Sequence, residues 1–344
     1  MLTPPPLDPT PIFELFRGNY ATELLVAATA HFRVFERLAA RSLEPEALRD
    51  QLRLARRPFV VLMTALRAMQ LIGTDPTGRF ELTPLAREHL LVGAQLDVSG
   101  YLGLAADSPG VQEMVERLTT NTPKGKKAGE QGVGFIYRED LPSAMETAAG
   151  ARHFTLALAG RAKNVAPVLA ERVSLQSARV LVDVGGGTGI YSILCLMRNP
   201  KLRAIVWDRP EVLHVAADFA DQYGVGDRLK LRPGDMFVDP VPEGDVILLS
   251  NVLHDWDEPE CQELIARCAA PLPAGGRLLI HDVFLNDALD GPLSIALYSA
   301  ALFSVTEGRA YSAAEHRTWL KSAGLTPWPP VPTLIHCAVL AAIK

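Results

Sequence analysis

The sequence predicts an α/β protein in which a smaller, mostly helical N-terminal domain precedes a doubly wound parallel sheet. From residue 179 onward, short apolar strands alternate with helices. The first of these units, RVLVDVGGGTGIYSILC, runs from a buried strand through a glycine-rich turn into a helix. Such alternation is typical of a parallel sheet covered by helices on both faces. The 344 residues also exceed one typical core and favour two domains.

The N-terminal residues predict a winged helix. Residues 11–41 carry helical apolar spacing, and two short helical segments follow, EPEALRDQL and RPFVVLMTALRAMQLIG. The segment TDPTGRFELTP then predicts a hairpin with Asp-Pro and Thr-Gly turns. We therefore assign residues 1–95 to a winged-helix-like domain.

A winged helix raises the hypothesis of DNA binding, which the charges do not favour. Residues 1–95 hold eleven arginines, no lysine and ten acidic residues. The segment at the recognition-helix position is apolar, and only Arg57 and Arg67 are basic in it. A DNA-reading helix needs a basic face. We expect this helix to lie in a core or a dimer contact, and we expect no nucleic-acid partner.

Composition excludes several other classes. The sequence contains no run of 18 apolar residues that would predict a membrane span. The segment MLTPPPLDPTP lacks a signal-peptide pattern, so a cytoplasmic location is expected. The four cysteines show no C-x-x-C spacing and predict reduced core thiols. Residues 96–178 predict a helical linker region that contributes to the substrate pocket. Its Lys- and Gly-rich loop 119–134 is a lid, a contact for an anionic substrate, or a solvated loop.

Within the C-terminal domain, residues 179–344, the predicted elements alternate along the chain. Strands are expected at 179–183, 203–208, 228–232, 245–250, 277–282 and 333–343. Helices are expected at 188–198, 210–223, 258–270 and 313–323. Ligands of such sheets bind at the carboxyl ends of the strands. The strand ends are therefore the place to look for a site.

The first strand end predicts a nucleoside site without a pyrophosphate. Glycines such as Gly185 and Gly187 let a ligand approach the backbone, and the following helix start favours an electron-rich group. Asp183 adds a carboxylate that repels phosphate. A G-x-G-x-x-G motif from Gly185 or Gly187 would need glycine or alanine at Ile190 or Ser192, so a nicotinamide enzyme is disfavoured.

The next strand ends carry acidic residues suited to a nucleoside. Asp208 stands where a carboxylate binds ribose hydroxyls in nucleotide-binding sheets, with a helix N-cap as the alternative. The run Asp235, Met236 and Phe237 suits the edge and face of an adenine, with a plain turn as the alternative.

The fourth and fifth strand ends predict a general base. His254 follows a strand end, and an imidazole with a pKa near 6.5 serves as a base at neutral pH. Asp282, expected at the neighbouring strand end, is suited to hold that ring in one tautomer, or else to cap a turn. The scattered histidines show no metal-ligand spacing, so we expect no metal site.

The motifs VDVGGGTG, WDRPEV, GDMF and NVLHDW, in this order, resemble the S-adenosylmethionine-dependent O-methyltransferases of the caffeate and acetylserotonin type. The resemblance covers nearly the whole chain. It implies a class I methyltransferase sheet, an N-terminal dimerisation domain and a homodimer. It implies that Gly185 and Gly187 hold the methionine part of the cofactor, with Asp183 nearby, while Asp208 binds the ribose. It further places Asp235, Met236, Phe237 and Ser250 around the adenine.

The same resemblance assigns His254 as the base and Asp282 as its carboxylate partner, and two departures from the family stand out. Members commonly carry Lys or Arg where Ser250 stands, and plant members have a second glutamate where Ala310 aligns. We expect a substrate pocket between the domains, walled by Phe154, Leu158, Tyr298 and Phe303, with core packing as the alternative for each residue.

These features favour a homodimeric, metal-independent O-methyltransferase that acts on a hydroxyl, expected to be phenolic, of a small aromatic metabolite. Two alternatives stay within the fold: a C- or N-methyltransferase, and a protein with altered chemistry on the same cofactor. A third alternative, a winged-helix regulator that senses a nucleoside, belongs to another class. The sequence names neither the acceptor nor its pathway.

Overall fold

The computed structural model describes residues 2–122 and 148–344. Most of the Lys- and Gly-rich loop, residues 123–134, lies outside this part. In chain order the α-helices of the described part are α1 Thr10–Arg17, α2 Ala21–Val26, α3 Val34–Leu38, α4 Pro45–Leu52, α5 Arg56–Ala68, α6 Pro84–His89, α7 Ser99–Leu102, α8 Pro109–Thr120, α9 Ala148–Arg172, α10 Ile190–Arg198, α11 Pro210–Gln222, α12 Glu258–Ala269, α13 Leu293–Val305 and α14 Ala313–Ser322.

The strands of the same part are β1 Ile72–Thr74, β2 Phe80–Leu82, β3 Val180–Val184, β4 Arg203–Asp208, β5 Leu229–Pro233, β6 Val246–Ser250, β7 Arg277–Leu285, β8 Tyr311–Ser312, β9 Thr326–Pro327, β10 Val331–Pro332 and β11 Cys337–Ile343. Short 3₁₀ turns occur at Gly18–Tyr20, Gly103–Ala105 and Leu253–Asp255, and a π turn at Ala27–His31.

The described residues form two compact units, each drawn from separate stretches of the chain. The sheet unit contains residues 2–13, 148–284 and 311–344. The helical unit contains residues 14–122 and 285–310. Residues 285–310 thus join the N-terminal helices, a grouping that consecutive segments of sequence do not indicate. The reason is that α13 carries apolar residues into the core of the helical unit.

The sheet unit has the predicted doubly wound α/β fold. Its strands lie in the order β10-β11-β7-β6-β3-β4-β5. From β7 to β5 all neighbours are parallel. Because β4 and β5 lie on one side of β3 while β6 and β7 lie on the other, the strand order reverses at β3. A crevice forms at the carboxyl ends of strands at such a reversal, which is where ligands bind in this fold class.

Two predicted boundaries in the sheet are wrong by a few residues. Strand β7 does not end at Asp282 but continues to Leu285, because β11 pairs with it in antiparallel register as far as Val283. Strand β11 begins at Cys337 rather than at residue 333, because Ile335 and His336 both adopt left-handed backbone angles, with φ of 59° each.

The helical unit contains the predicted helix-and-hairpin pattern. After α4 and α5, strands β1 and β2 pair in antiparallel register, with Ile72 opposite Leu82, which confirms the predicted hairpin. Apolar residues of α5, including Leu62 and Leu66, are fully buried with Phe303 of α13 in one core. The helix at the recognition position is therefore a core helix of its own unit.

Two of the three basic residues of α5, Arg57 and Arg67, also bind their own unit. Arg57 is buried and donates hydrogen bonds to Asn121 and to the carbonyl of Thr306. Arg67 donates to the carbonyl of Leu289. Elsewhere, all four cysteines are buried and lie outside disulfides, which agrees with the predicted position of these thiols in the core. Across the described ranges, no helix combines the length and apolarity needed to cross a bilayer.

Candidate active site

The glycine turn between β3 and α10 depends on backbone angles that suit glycine. Gly185, Gly187 and Gly189 have φ of 64°, 59° and 69°, in the left-handed region that L side chains disfavour. A Cβ atom on Gly189 would lie 2.9 Å from Val206 Cγ2, so this glycine also allows close packing on β4. A Cβ atom on Gly187 would have no neighbour within 4 Å. Gly187 therefore lines the open side of the turn.

Asp183 lies fully buried beneath this turn. Its Oδ2 atom accepts a hydrogen bond of 2.8 Å from Ser192 Oγ, in the first turn of α10. Its Oδ1 atom has no hydrogen-bond partner among the described residues. Burial raises the pKa of Asp183 to about 7, while the Ser192 bond opposes this shift and the nearby Asp208 carboxylate adds to it. Asp183 is thus partly protonated near neutral pH and joins the strand end to the helix start.

Asp208, the last residue of β4, lies beside the same turn. Its Oδ2 atom accepts a 2.8 Å hydrogen bond from the Gly187 amide, and its Oδ1 atom accepts one of 2.7 Å from the Arg209 amide. Burial raises the pKa of Asp208, although both amide bonds favour the ionised form. The helix N-cap alternative does not hold, because Arg209 occupies the N-cap of α11. Each carboxylate oxygen retains capacity to accept a further hydrogen bond.

The segment after β5 forms a compact turn. Asp235 Oδ1 accepts a 2.8 Å hydrogen bond from the Phe237 amide, and the Met236 carbonyl accepts one of 2.9 Å from Arg267 Nε. The Phe237 ring packs edge-on against Trp256, with ring centres 4.6 Å apart. Asp235 therefore has the turn-forming role named as the alternative, and its Oδ2 atom adds a second acceptor at this strand end.

A chain of hydrogen bonds joins the end of β6 to the middle of β7. Ser250 Oγ lies 2.9 Å from His281 Nδ1 and accepts a 3.1 Å bond from Asn251 Nδ2. His281 Nε2 lies 3.1 Å from Thr333 Oγ1. Burial, with a contribution from the Arg161 charge, lowers the pKa of His281 to about 3. His281 is therefore a neutral structural histidine, and the Ser250 hydroxyl is engaged with it.

His254 lies on the 3₁₀ turn Leu253–Asp255 and is paired with Asp282 of β7. Its Nδ1 atom lies 2.7 Å from Asp282 Oδ1, and both side chains are buried. The same Asp282 oxygen accepts a 2.8 Å bond from the Val283 amide. Since an ionised carboxylate only accepts hydrogen bonds, the proton lies on Nδ1, and Nε2 carries the lone pair. This is the arrangement expected for a general base and its orienting partner.

A second carboxylate, Asp255, lies on the other side of the same ring. Its Oδ1 atom is 3.6 Å from His254 Nε2, an ion-pair distance. Burial lowers the pKa of His254, but Asp282 and Asp255 together outweigh this effect and raise it. Burial in turn raises the pKa of Asp255 to about 6, against the opposing effect of His254. The imidazolium form of His254 is thus stabilised from two sides.

The four predicted substrate-pocket residues fall in both units. On α9, Phe154 is half-buried and Leu158 is 54% exposed. On α13, Tyr298 is half-buried beneath the guanidinium of Arg17, which lies 4.3 Å from the ring centre. Phe303 is fully buried in the core of the helical unit, beneath Arg57. Core packing accounts for Phe303, and the lining role of the other three stays a prediction.

The structure adds three site residues that were not singled out from the sequence: Asp255, Asn251 and Arg161. Asp255 and Asn251 lie close to His254 in the sequence, and this proximity could have identified them as site residues. The spacing does not indicate which ring nitrogen the Asp255 carboxylate faces. Arg161 lies 90 residues before Asn251 and has no sequence signal. Within residues 2–122 and 148–344, no group of three or more His, Cys, Asp or Glu residues is arranged to hold a metal ion.

The chain is similar in sequence to known O-methyltransferases. A family model described as an O-methyltransferase domain matches residues 140–326. The chain is 32% identical to a 3-hydroxy-5-methyl-1-naphthoate 3-O-methyltransferase of Streptomyces sahachiroi over 326 residues, which cover 94% of this chain and 91% of that protein.

Solved structures show the same fold. An O-methyltransferase family 2 protein of Planctomyces limnophilus, crystallised with apigenin, is 48% identical, with a TM-score of 0.89 over 100% of this chain and 98% of that one. Human N-acetylserotonin methyltransferase, crystallised with S-adenosylmethionine, is 21% identical, with a TM-score of 0.57 over 97% and 96% of the two chains. The second likeness concerns the fold alone.

Proposed function

Since this chain belongs to the O-methyltransferase family, an S-adenosylmethionine-dependent family of enzymes, we propose that it methylates a phenolic hydroxyl of a small aromatic molecule with His254 as general base. The observation that carries this proposal is the buried His254–Asp282 pair beyond the end of β6. Strand β6 pairs with the strand that precedes the glycine turn. The two parts of a methyl-transfer site, a base and a cofactor turn, thus follow neighbouring strands of one sheet.

The residues at this edge fit S-adenosylmethionine. The open side of Gly187 leaves room for a ligand against the backbone, and the buried Asp183 Oδ1 atom lacks a partner among the described residues. Gly185 and Gly187 would hold the methionine part, with Asp183 beneath them, and Asp208 the ribose hydroxyls. Asp235, Met236 and Phe237 would surround the adenine, and Ser250 would support this region through the strand end.

When bound, S-adenosylmethionine supplies a methyl group on a positively charged sulfur. His254 Nε2 takes the proton of the acceptor hydroxyl as the oxygen becomes nucleophilic. Asp282 keeps the ring in the tautomer that leaves Nε2 as the proton acceptor, and Asp282 and Asp255 stabilise the imidazolium that forms. A phenol has a pKa of about 10. Because the pKa of His254 is raised, the difference between the pKa values of the phenol and of its base is smaller, which favours proton transfer.

The acceptor class rests on the relatives and on the expected pocket lining. One relative is named for a hydroxynaphthoate, and a similar structure was crystallised with apigenin; both compounds are flat hydroxylated aromatics. The lining proposed above, Phe154, Leu158 and Tyr298, is predominantly apolar, which suits such rings. We extend this acceptor class to the present chain.

Transfer of a deuterated methyl group tests the proposal. The protein is incubated with S-adenosylmethionine carrying CD₃ and a panel of hydroxylated naphthoates and flavones, and products are located by mass spectrometry and NMR. The proposal expects a methyl ether on oxygen, and no product from matched compounds whose hydroxyls are already methylated. A methyl group found on carbon or nitrogen would contradict O-methylation and support the alternative chemistry of the same fold.

A further inference from the structure

A positive charge lies at the end of β6 although the sequence has serine at the position where the family commonly carries Lys or Arg. It comes from Arg161, in the middle of α9 and far from this strand in sequence. The Arg161 guanidinium donates a 2.7 Å hydrogen bond to Asn251 Oδ1 and a 2.9 Å bond to Cys337 Sγ. One arginine therefore contacts the residue that follows β6 and the first residue of β11.

Asn251 connects β6 to the 3₁₀ turn Leu253–Asp255, the catalytic turn, and has an uncommon backbone conformation. Its φ of 57° is left-handed, a conformation that asparagine tolerates better than most residues. Its backbone amide donates a 2.9 Å bond to the His281 carbonyl, which keeps Asn251 attached to β7. Only Val252 and Leu253 separate this residue from His254. The conformation of Asn251 therefore sets the starting direction of the turn that carries the base.

The hydrogen bonds through Asn251 have a single direction, because arginine only donates. Asn251 must accept with Oδ1, so Nδ2 donates to Ser250 Oγ at 3.1 Å. The Ser250 hydroxyl lies in turn 2.9 Å from His281 Nδ1, and His281 Nε2 lies 3.1 Å from Thr333 Oγ1. The lowered pKa of His281 keeps this ring neutral, so one of its two nitrogens donates and the other accepts. Arg161 thus orders the buried network beside His254.

We propose that Arg161 is a positioning residue for His254: its guanidinium holds Asn251 and the hydrogen-bond chain behind it, and its charge offsets the two carboxylates beside the imidazole. The proposal rests on the assigned role of His254 as base. It explains how a chain with Ser250 at the usual cation position still has a cation at this strand end.

The charges that face His254 come from three elements. Asp282 on β7 and Asp255 on the catalytic turn both favour the imidazolium, whereas Arg161 on α9 disfavours it. His316 on α14 acts through Asp282, whose ionised form it favours. Without Arg161, only burial would oppose the effect of the two carboxylates, and His254 would retain its proton to higher pH. A base that retains its proton is inactive, so the arginine extends the range in which His254 works.

An NMR titration of the His254 imidazole tests the charge effect without any acceptor. Arg161→Gln should raise the pKa of His254 above that of the wild-type protein, and Arg161→Lys, which keeps the charge, should leave it close to wild type. Arg172→Gln is the matched control, because it removes an exposed arginine from the end of the same helix. The His254 signal is identified by its loss in His254→Gln.

Turnover tests the positioning effect. Arg161→Gln and Asn251→Ala should each lower kcat about 10- to 100-fold at saturating S-adenosylmethionine, because small displacements of a catalytic group carry large penalties in rate. Cofactor affinity should stay near the wild-type value. Asn251→Ala should do so with little change in the pKa of His254, since the guanidinium charge remains.

Two outcomes overturn the proposal. If the pKa of His254 in Arg161→Gln equals that of the folded wild-type protein, Arg161 does not act on the base. If Arg161→Gln binds S-adenosylmethionine weakly but has normal kcat at saturation, Arg161 is a cofactor ligand instead. If instead the wild-type protein methylates no acceptor, the proposed function fails, while the titration still decides the role of Arg161.

Discussion

His254 and His281 show how burial and partners give different roles to one residue type. Both rings are buried, yet the pKa of His281 is lowered to about 3 and that of His254 is raised. The difference lies in the partners, because His281 is bonded to the hydroxyls of Ser250 and Thr333 whereas His254 is bonded to the Asp282 carboxylate. Only His254 is therefore suited to exchange a proton near neutral pH.

Asp282→Asn tests the partnership at the residue scale. The carboxylate raises the pKa of His254, so its loss should move the acid limb of the kcat/KM profile to lower pH. The plateau should fall roughly 10- to 1,000-fold, because an amide supports the imidazolium and its tautomer less well. Asp218→Asn, which changes an exposed carboxylate, is the control. An acid limb that stays at the wild-type pH would contradict the assignment.

Asp183→Asn tests the buried carboxyl group through stability. With a pKa of about 7 in the folded state and an ordinary value near 3.8 in the unfolded state, Asp183 keeps a proton on folding that the unfolded chain releases. Its contribution to stability is therefore present below pH 4 and lost as the pH rises through 7. The wild-type protein should lose about 2 kcal/mol more between pH 5 and pH 8 than the variant does. Urea unfolding at both pH values measures the free energy of unfolding of the two proteins. The same difference between wild type and variant at pH 5 and at pH 8 would refute the prediction.

At the scale of the element, the glycine turn has two requirements: backbone angles that suit glycine, and space for a ligand. Gly187→Ala and Gly224→Ala both place a Cβ atom at positive φ, with no neighbour within 4 Å, so each should cost about 1 kcal/mol in free energy of unfolding. Gly189→Ala should cost more, because its Cβ atom also meets Val206. Urea unfolding compares all three.

Calorimetry with S-adenosylmethionine tests the second requirement, the space for a ligand beside Gly187. Gly187→Ala should weaken binding, since its methyl group projects into the open side of the turn. Gly224→Ala, at the remote end of α11, should bind as the wild-type protein does. Equal cofactor affinity in these two variants would show that the open side of Gly187 does not face the cofactor.

The elements of the sheet unit were predictable from sequence because their signals are local. Apolar runs place β3, β4 and β6 within a residue, and Pro210 marks the start of α11, where its fixed φ suits the first helical position. The length of β7 was not predictable, since it depends on pairing with β11 from the far end of the chain. Local signals thus give the elements but not the register that extends them.

The candidate site divides in the same way. His254 and Asp282 were identifiable from their strand ends and from a known motif. The burial of Asp183, the orientation of Asp255 toward Nε2 and the contact of Arg161 with Asn251 depend on packing between distant segments. No periodicity or spacing in a single sequence encodes such contacts.

At the scale of the whole molecule, large apolar side chains remain exposed on the single chain. On α1, Leu15 and Phe16 are 84% and 74% exposed, and Leu104 is 82% exposed. Adjacent exposed apolar groups, such as those on α1, favour a contact with another molecule, whereas a single exposed apolar residue does not. A homodimer, which the family resemblance implies, is the partner we expect for them.

Light scattering after size exclusion tests this expectation. The wild-type protein should have twice the 37.3 kDa mass of the chain. Leu15→Glu should shift it toward the monomer, whereas Val238→Glu, at another exposed apolar residue, should not. A wild-type mass of one chain would count against a dimer contact at α1. A dimer that persists in Leu15→Glu would also count against it.

The most direct test of the central claim is the turnover of His254→Ala with S-adenosylmethionine and an accepted phenol. Turnover should fall roughly 10²- to 10⁴-fold, because the general base is lost, while calorimetric affinity for the cofactor stays nearly intact. Asp208→Ala should instead weaken the binding of the cofactor. Undiminished turnover in His254→Ala would remove His254 as the base and contradict the mechanism proposed for this site.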